Sequence, residues 1–167
     1  MHLLLVISVQ SITSYLATCA FGIIFNIPFK PLLHGGLIGM IAWIIYFFLF
    51  QSTGNDFTAT FAASFIIAIM SQIFARVCKN PVILYSVAGI IPLVPGGLTY
   101  SVMSGAVGNN YEVAIYFAEK VFVLSGSIAM GLIFSEVLFQ IYEKIQFFRH
   151  KRRSGVILAH KGKFFSK

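Results

Sequence analysis

The stretch Ile91-Pro92-Leu93-Val94-Pro95-Gly96-Gly97 lies at the centre of an apolar segment, residues 81–107, that is long enough to cross a bilayer. Each proline lacks a backbone N–H, and its ring clashes with the carbonyl four residues earlier. The two glycines that follow permit backbone angles that other residues resist. A lipid-facing helix does not tolerate such a break, because the freed backbone groups find no water partner. The segment therefore predicts a broken membrane helix that lines a protein-enclosed cavity, as in transporters.

The composition of the whole chain agrees with a location in a membrane. Of the 167 residues, 58% are hydrophobic and only 10% are charged, and the mean hydropathy is +0.88. A soluble domain typically carries about 25% charged residues. The predicted fold is therefore an all-α polytopic membrane protein.

Hydrophobic runs and turn signals predict five transmembrane helices, and the fourth of these is broken at Pro92, Pro95 and Gly96. The predicted spans cover residues 3–24, 32–50, 57–74, 82–107 and 121–142. They form one transmembrane domain, residues 1–146, and a basic tail, residues 147–167, follows it.

The basic residues predict the orientation of the chain. If there are five spans, eleven of the twelve Lys and Arg residues fall on one side of the membrane, and Lys120 is the exception. Lys30 lies between the first two spans, and Arg76 and Lys79 lie between the third and the fourth. The positive-inside rule makes this side cytoplasmic. We therefore expect the N-terminus outside and the C-terminus in the cytoplasm. The expected membrane is the plasma (inner) membrane of a bacterial cell.

The net charge of +7 comes mainly from the tail, because eight of the twelve basic residues lie between Lys144 and Lys167. A basic segment beside a membrane span most often sets the topology and contacts anionic lipid. A nucleic-acid role would need recognition machinery that this tail does not supply. We therefore expect anionic lipid, and no nucleic acid, as its partner.

No group of residues in the sequence resembles a catalytic centre. The four histidines and two cysteines are scattered without metal-ligand spacing, and there is no phosphate-binding motif. We therefore expect no enzyme activity, no metal and no cofactor. Transport would depend on a gradient or on a partner rather than on ATP bound to this chain.

Hydroxyl groups follow the predicted break. Tyr100, Ser101 and Ser104 are positioned to hydrogen-bond a small polar solute or to repair the broken backbone, and the sequence does not decide between these roles. The N–H groups near Gly97 and Leu98 begin the second half-helix and would favour a carboxylate. The break therefore predicts a solute that carries a carboxylate.

Three charged residues are candidates for a proton or charge relay, because ionisable groups at membrane depth are costly. Glu136 is either a relay or substrate contact, or a packing residue near the cytoplasmic boundary. Glu119 and Lys120 are solvated charges if residues 111–120 lie at the outer interface. They would meet a charged solute if that segment lines an outer vestibule.

Pairs of small residues four positions apart indicate helix-packing faces. These pairs are Gly35 and Gly39, Ala59 and Ala63, and Ser127 and Gly131. No internal repeat is evident, and five helices make a thin enclosure for a solute path. The chain therefore has the size of one half of a transporter.

Several motifs resemble those of the threonine/serine exporter family. They are Phe25-Asn26-x-Pro28, Arg76 ahead of Pro81, and Ile91-Pro92-x-x-Pro95-Gly96-x-x-x-Tyr100. The resemblance covers about residues 3–142 and is to the small-subunit branch, which is equivalent to the C-terminal five-span half of single-chain members. The residues that carry it are Asn26, Pro28, Arg76, Pro92, Pro95, Gly96 and Tyr100.

The resemblance implies a secondary exporter of threonine and serine, or of a dicarboxylate such as succinate in the two-component members. It also implies a second, larger membrane subunit that carries the other half of the transporter. The motif residues, together with Gly97 and Ser101, form the predicted substrate path or hinge. A non-transporting membrane scaffold is the alternative, and the small-residue packing faces support it equally well.

Overall fold

A computed structural model describes the backbone of residues 2–164 and the side chains of residues 5–146. The elements of this part of the chain are all helical, which confirms the predicted fold class. They are α1 (His2–Ile24), α2 (Phe29–Thr53), α3 (Asp56–Cys78), α4 (Ile83–Ile90), a 3-10 helix (Ile91–Leu93), α5 (Gly96–Val107) and α6 (Tyr111–Phe164).

Within the described residues, four helical segments are each long and apolar enough to cross a membrane, and α4 and α5 form a fifth span when they are counted as one bent pair. The four segments are Leu5–Ile24, Phe29–Thr53, Asp56–Cys78 and Tyr111–Gln146. The prediction of a multi-pass protein with a broken fourth span is therefore confirmed.

The break in the fourth span lies where the two prolines predicted it. The 3-10 helix follows α4 directly, Val94 is extended with φ −64° and ψ 126°, and Pro95 precedes the first residue of α5. The axes on the two sides of the break differ by 55°. The missing proline N–H groups explain why the α-helical hydrogen-bond ladder stops here.

The turn after α1 explains one of the sequence motifs. Asn26 adopts the left-handed conformation with φ 56°. The N–H of Ile27 donates to the Gly22 carbonyl at 2.9 Å, and the N–H of Asn26 donates to the Ile23 carbonyl at 3.0 Å. This pair of bonds is the Schellman motif, and Asn tolerates the left-handed position better than most residues do. Asn26 therefore ends α1, and Pro28 is the N-cap of α2.

The chain forms two compact units, Met1–Ser135 and Glu136–Lys167. Helix α6 extends beyond residue 146, where the transmembrane domain was expected to end, and reaches Phe164. No proline, which would stop a helix, follows Pro95 in the sequence. The basic side chains expected in the tail, residues 147–167, lie outside the described residues.

The core of the first unit lies among α2, α3 and α4. Ile38, Ile67 and Tyr85 are fully buried in one hydrophobic cluster to which each of these helices contributes. Ala59 and Ala63, which were expected on a packing face of α3, are also fully buried. Buried contacts of Tyr85 with this cluster therefore hold α4 against the two long helices before it.

Glycines bring α2 close to its neighbours. A Cβ atom added at Gly35 would lie 2.9 Å from the Cβ of Ala88 on α4. A Cβ atom added at Gly39 would lie 2.5 Å from the Oγ1 of Thr18 on α1. Both distances are shorter than a van der Waals contact, so only glycine fits without movement. The predicted packing face on α2 is confirmed.

Helix α6 packs against α3 through its predicted small-residue face. The Ser127 hydroxyl donates to the Phe57 carbonyl at 2.7 Å. Four residues later, Gly131 lies against the Ser64 side chain, and a Cβ atom added there would be 2.8 Å from the Phe61 carbonyl oxygen. The later residue of α6, Gly131, contacts the later residues of α3, so α3 and α6 run in the same direction.

Candidate functional site

Pro92, the middle residue of the 3-10 helix, lies against the place where α1 and α2 meet. A Cβ atom added at Gly39 would lie 3.3 Å from the Cγ of Pro92. Thr18 is fully buried beside this contact, and its hydroxyl donates to the Ser14 carbonyl at 2.8 Å. Leu93, the next residue of the 3-10 helix, is buried as well. The first side of the break therefore belongs to the packed interior of the chain.

The second side of the break is open. None of the residues of α5 is buried, and Tyr100 is 75% exposed. Met103 and Val107 are also exposed. A Cβ atom added at Gly96 or Gly97 would meet no atom within 4 Å. An enclosure around this half of the broken span would therefore need atoms from beyond the described residues.

Polar groups cluster at the first turn of α5. The Thr99 hydroxyl donates to the Pro95 carbonyl at 3.0 Å, and the Ser101 hydroxyl donates to the Gly97 carbonyl at 3.1 Å. Among the described residues, the N–H groups of Gly97 and Leu98 have no backbone acceptor. The Ser101 hydroxyl thus bonds its own helix, and the free N–H groups at a positive helix end favour an anion.

The remaining motif residues lie at the ends of other helices. Asn26 and Pro28 build the turn between α1 and α2. Arg76 lies in the last turn of α3, and its side chain is exposed. A cation at this position interacts favourably with the negative end of the helix. Helix termination therefore explains the residue types at these three positions.

A second group of polar residues lies where α3 begins. Four polar and two apolar residues line a pocket of about 170 Å³, which we call the Asp56 pocket: Asp56, Tyr116, Glu119 and Lys120, with Val123 and Leu124. The Lys120 ammonium lies 4.8 Å from the centre of the Tyr116 ring, within the range of a cation–π interaction. Asp56 accepts a hydrogen bond from the Tyr46 hydroxyl at 3.2 Å.

The Asp56 pocket carries charges of both signs. Within the described part of the chain, no ion pair of 4.0 Å or less joins Lys120 to Asp56 or Glu119. Among the described residues, no group of three or more His, Cys, Asp or Glu side chains could hold a metal ion. The two carboxylates and one ammonium of the pocket are suited to charged organic groups.

The family model described as "Threonine/Serine exporter, ThrE" matches residues 10–138. The chain belongs to this family. The matched region begins in α1 and ends in α6, so it includes both sides of the break. No curated protein and no solved structure matches the chain. The resemblance predicted from the motifs is thereby confirmed, and the chain is a subunit of exporter type in a membrane transporter family.

The structure of this exporter-family chain divides the predicted site residues among separate places. Pro92, Pro95, Gly96, Gly97, Tyr100 and Ser101 lie along the break, whereas Asn26, Pro28 and Arg76 lie at the ends of α1, α2 and α3. The Asp56 pocket brings Glu119 and Lys120 together. Glu136, the third relay candidate, is exposed and is the first residue of the second unit.

Sequence reasoning missed Asp56 and Tyr116 as members of a site with Glu119 and Lys120. A signal for Asp56 was present in the predicted topology. The loop that holds Asp56 and the segment of residues 111–120 are expected on the same side of the membrane. Charged residues from two loops on one side are candidates to line a common pocket.

Proposed function

We propose that this chain is the small subunit of a secondary exporter of small carboxylate solutes, namely threonine and serine or a dicarboxylate such as succinate. It acts together with a larger membrane subunit of the same family. The family match over residues 10–138 is the observation that carries this proposal. Transporters of several folds bind their solutes at discontinuous helices near the middle of the membrane, and the break between α4 and α5 is such a feature.

The first turn of α5 supports a carboxylate solute at the break. The N–H groups of Gly97 and Leu98 lie at the positive end of α5 without backbone acceptors among the described residues. A carboxylate that bonds them gains both hydrogen bonds and a favourable dipole. Pro95 keeps this end of the helix separate from the α4 side, because it cannot donate a hydrogen bond across the break.

The exposure of α5 supports a second subunit. Lipid covers apolar side chains such as Met103 and Val107 as well as protein does, but it cannot accept hydrogen bonds from free backbone groups. No residue of α5 is buried by this chain. The polar first turn of α5 therefore needs cover from another protein surface at membrane depth, and we assign this cover to the larger subunit.

We propose a topology with the N-terminus outside and the C-terminus in the cytoplasm of a bacterial cell. The shared direction of α3 and α6 supports it, because the third and fifth of five consecutive spans must cross the membrane the same way. The charge distribution gives the sign of this direction. The basic tail then lies at the cytoplasmic leaflet, where it contacts anionic lipid.

Efflux measurements test the proposed function directly. Cells from which this chain has been deleted should accumulate threonine, serine or succinate after loading, or become sensitive to threonine-containing peptides. Supplying the chain from a plasmid should restore efflux. Normal efflux of all three solutes in the deleted cells would contradict the proposal.

A matched pair of substitutions separates the exporter from a non-transporting scaffold. Neither Gly96 nor Gly126 has a positive φ, and a Cβ atom added at either would meet nothing within 4 Å in this chain. We expect Gly96→Ala to lose most of the efflux while the chain keeps its normal level in the membrane, because the added methyl group narrows a path that other atoms complete. Gly126→Ala is the control and should export normally. If Gly96→Ala also exports normally, the scaffold alternative is favoured.

A further inference from the structure

The Asp56 pocket contains charges that this chain does not pair with one another. Asp56, Glu119 and Lys120 line the same space, yet within the described residues no ion pair of 4.0 Å or less joins the ammonium to either carboxylate. The Lys120 ammonium instead lies over the Tyr116 ring. All three charges therefore remain available to a ligand.

One of the three charges is held in place, whereas the other two can adjust. Asp56 is half-buried in the first turn of α3, and the Tyr46 hydroxyl donates to its Oδ1 at 3.2 Å. The centres of the Tyr46 and Trp43 rings lie 5.3 Å apart, so aromatic packing positions the Tyr46 hydroxyl. Glu119 and Lys120 are exposed on α6. The pocket thus combines a fixed carboxylate with two long side chains that can close on a solute.

The balance of charge in the pocket favours an amino acid over a dicarboxylate as its ligand. Two carboxylates and one ammonium give the pocket a net charge of −1 in their ionised forms. A dicarboxylate would meet two like charges here and only one opposite charge, which disfavours its binding. A solute with both an ammonium and a carboxylate can satisfy all three residues. The pocket, at about 170 Å³, is also below the roughly 300–1,000 Å³ of sites for drug-sized ligands, so it suits a small molecule.

We propose that the Asp56 pocket binds the zwitterionic head group of a small α-amino acid. The ammonium of the solute lies between Asp56 and Glu119, and the carboxylate of the solute pairs with Lys120. This inference rests on the proposed export function and deepens it, because it names an amino acid rather than a dicarboxylate as the solute at this end of the bundle. By the proposed topology, the pocket is on the outer side, where a solute leaves.

Equilibrium binding to the solubilised full chain, with any subunit that accompanies it from the membrane, tests this inference without regard to sidedness. Three probes separate the charges: L-threonine carries both groups, threonine methyl ester carries only the ammonium, and succinate carries only carboxylates. The wild-type protein should bind L-threonine more tightly than succinate. Titration calorimetry measures all three affinities under one set of conditions.

Near-isosteric variants assign the contacts. Asp56→Asn and Glu119→Gln should each weaken binding of L-threonine and of its methyl ester by about three- to tenfold, the range for charged hydrogen bonds that water partly screens. Lys120→Gln should weaken binding of L-threonine by a similar factor and should not weaken binding of the ester, which lacks the carboxylate. Glu112 lies on α6 seven residues before Glu119 and does not line the pocket. Glu112→Gln therefore removes a nearby charge outside the pocket and serves as the control.

Two results would overturn the inference: no detectable binding of L-threonine by the wild-type protein, or wild-type affinity for L-threonine in Asp56→Asn and Glu119→Gln. The amount of each variant in the membrane and its circular dichroism show whether it has folded, and Asn at position 56 can still accept the Tyr46 hydrogen bond. The efflux assay separates this inference from the proposed function. If export proceeds normally while the pocket variants bind like wild type, only the pocket assignment fails; if deleted cells export all solutes normally, the proposed function itself fails.

Discussion

The two halves of the broken span are both apolar, but this chain buries residues of the first half only. Helix α4 contributes Tyr85, Ala88 and Gly89 to the buried interior, whereas α5 contributes no buried residue. In a membrane, lipid is as apolar as a protein interior, so hydrophobicity alone does not decide which helix is buried. The close approach of Gly35 to Ala88 does decide it, because the small residues let the backbones of α2 and α4 come together.

This difference assigns separate roles to the two sides of the break. The packed side holds Pro92 against α1 and α2, and so fixes where the break occurs. The open side presents the free N–H groups of Gly97 and Leu98 away from the packed interior. A rigid anchor beside an uncovered polar helix end is the arrangement expected of a subunit whose solute path is completed by a partner.

Two tyrosines, one on each side of the break, give the largest expected contrast in stability. Tyr85 is fully buried against Phe74 and His34, and its hydroxyl accepts a hydrogen bond from Asn80 at 3.2 Å. Tyr85→Ala should lower the free energy of unfolding by about 3–5 kcal/mol, as for other large buried aromatic residues. Tyr100→Ala should change it by less than about 0.5 kcal/mol, because that side chain is exposed. Unfolding of the purified chain by SDS in mixed micelles measures both.

A cost at Tyr100 close to that at Tyr85 would break the comparison, since it would mean that the Tyr100 side chain packs within this chain. Efflux sharpens the comparison. If the partner covers α5, Tyr100→Ala should reduce export although it leaves the unfolding free energy of the isolated chain unchanged.

Two glycines on α6 provide the next contrast. A Cβ atom at Gly131 would meet Ser64 and lie 2.8 Å from the backbone oxygen of Phe61, whereas a Cβ atom at Gly126 would meet nothing within 4 Å. Gly131→Ala should therefore cost about 1–3 kcal/mol of unfolding free energy, because the backbone of α3 must move. Gly126→Ala should be neutral or stabilising by up to about 1 kcal/mol, since alanine favours a helix more than glycine does. The same SDS titration measures the pair, and equal effects would show that α6 does not pack closely on α3.

The sequence predicts the helices and the break because their causes are local. Apolar runs interrupted by Asn26 and Pro28 define the first turn, and the missing N–H groups of Pro92 and Pro95 act within a few residues of themselves. The family motif could be read for the same reason. Most of its residues, such as Asn26 and Pro92, lie at the end of a helix or interrupt one, whereas Tyr100 lies inside α5.

The packing of the helices could not be predicted to the same depth. Small residues marked faces such as Gly35 and Gly39, but nothing in the sequence says that Ala88 rather than a residue of α5 lies opposite. The Asp56 pocket was missed for a related reason. Asp56 and Lys120 come together only because α3 and α6 run side by side, and one contact that aligns them, between Ser127 and Phe57, joins residues far apart in the chain.

The smallest expected contrast concerns two serine hydroxyls, one on α6 and one on α5. Ser127 is fully buried and donates across helices to the Phe57 carbonyl at 2.7 Å, whereas Ser101 donates to Gly97 within its own helix at 3.1 Å. Ser127→Ala should cost about 0.6 kcal/mol, the average for hydrogen bonds between membrane helices. Ser101→Ala should lower the free energy of unfolding by less, because the Ser101 hydrogen bond lies within α5 and connects no second helix. Alanine is also at least as good a helix former as serine. A measured cost at Ser101 that exceeds the cost at Ser127 would place an interhelical hydrogen bond at Ser101, and the view of α5 as the open half of the span would have to be abandoned.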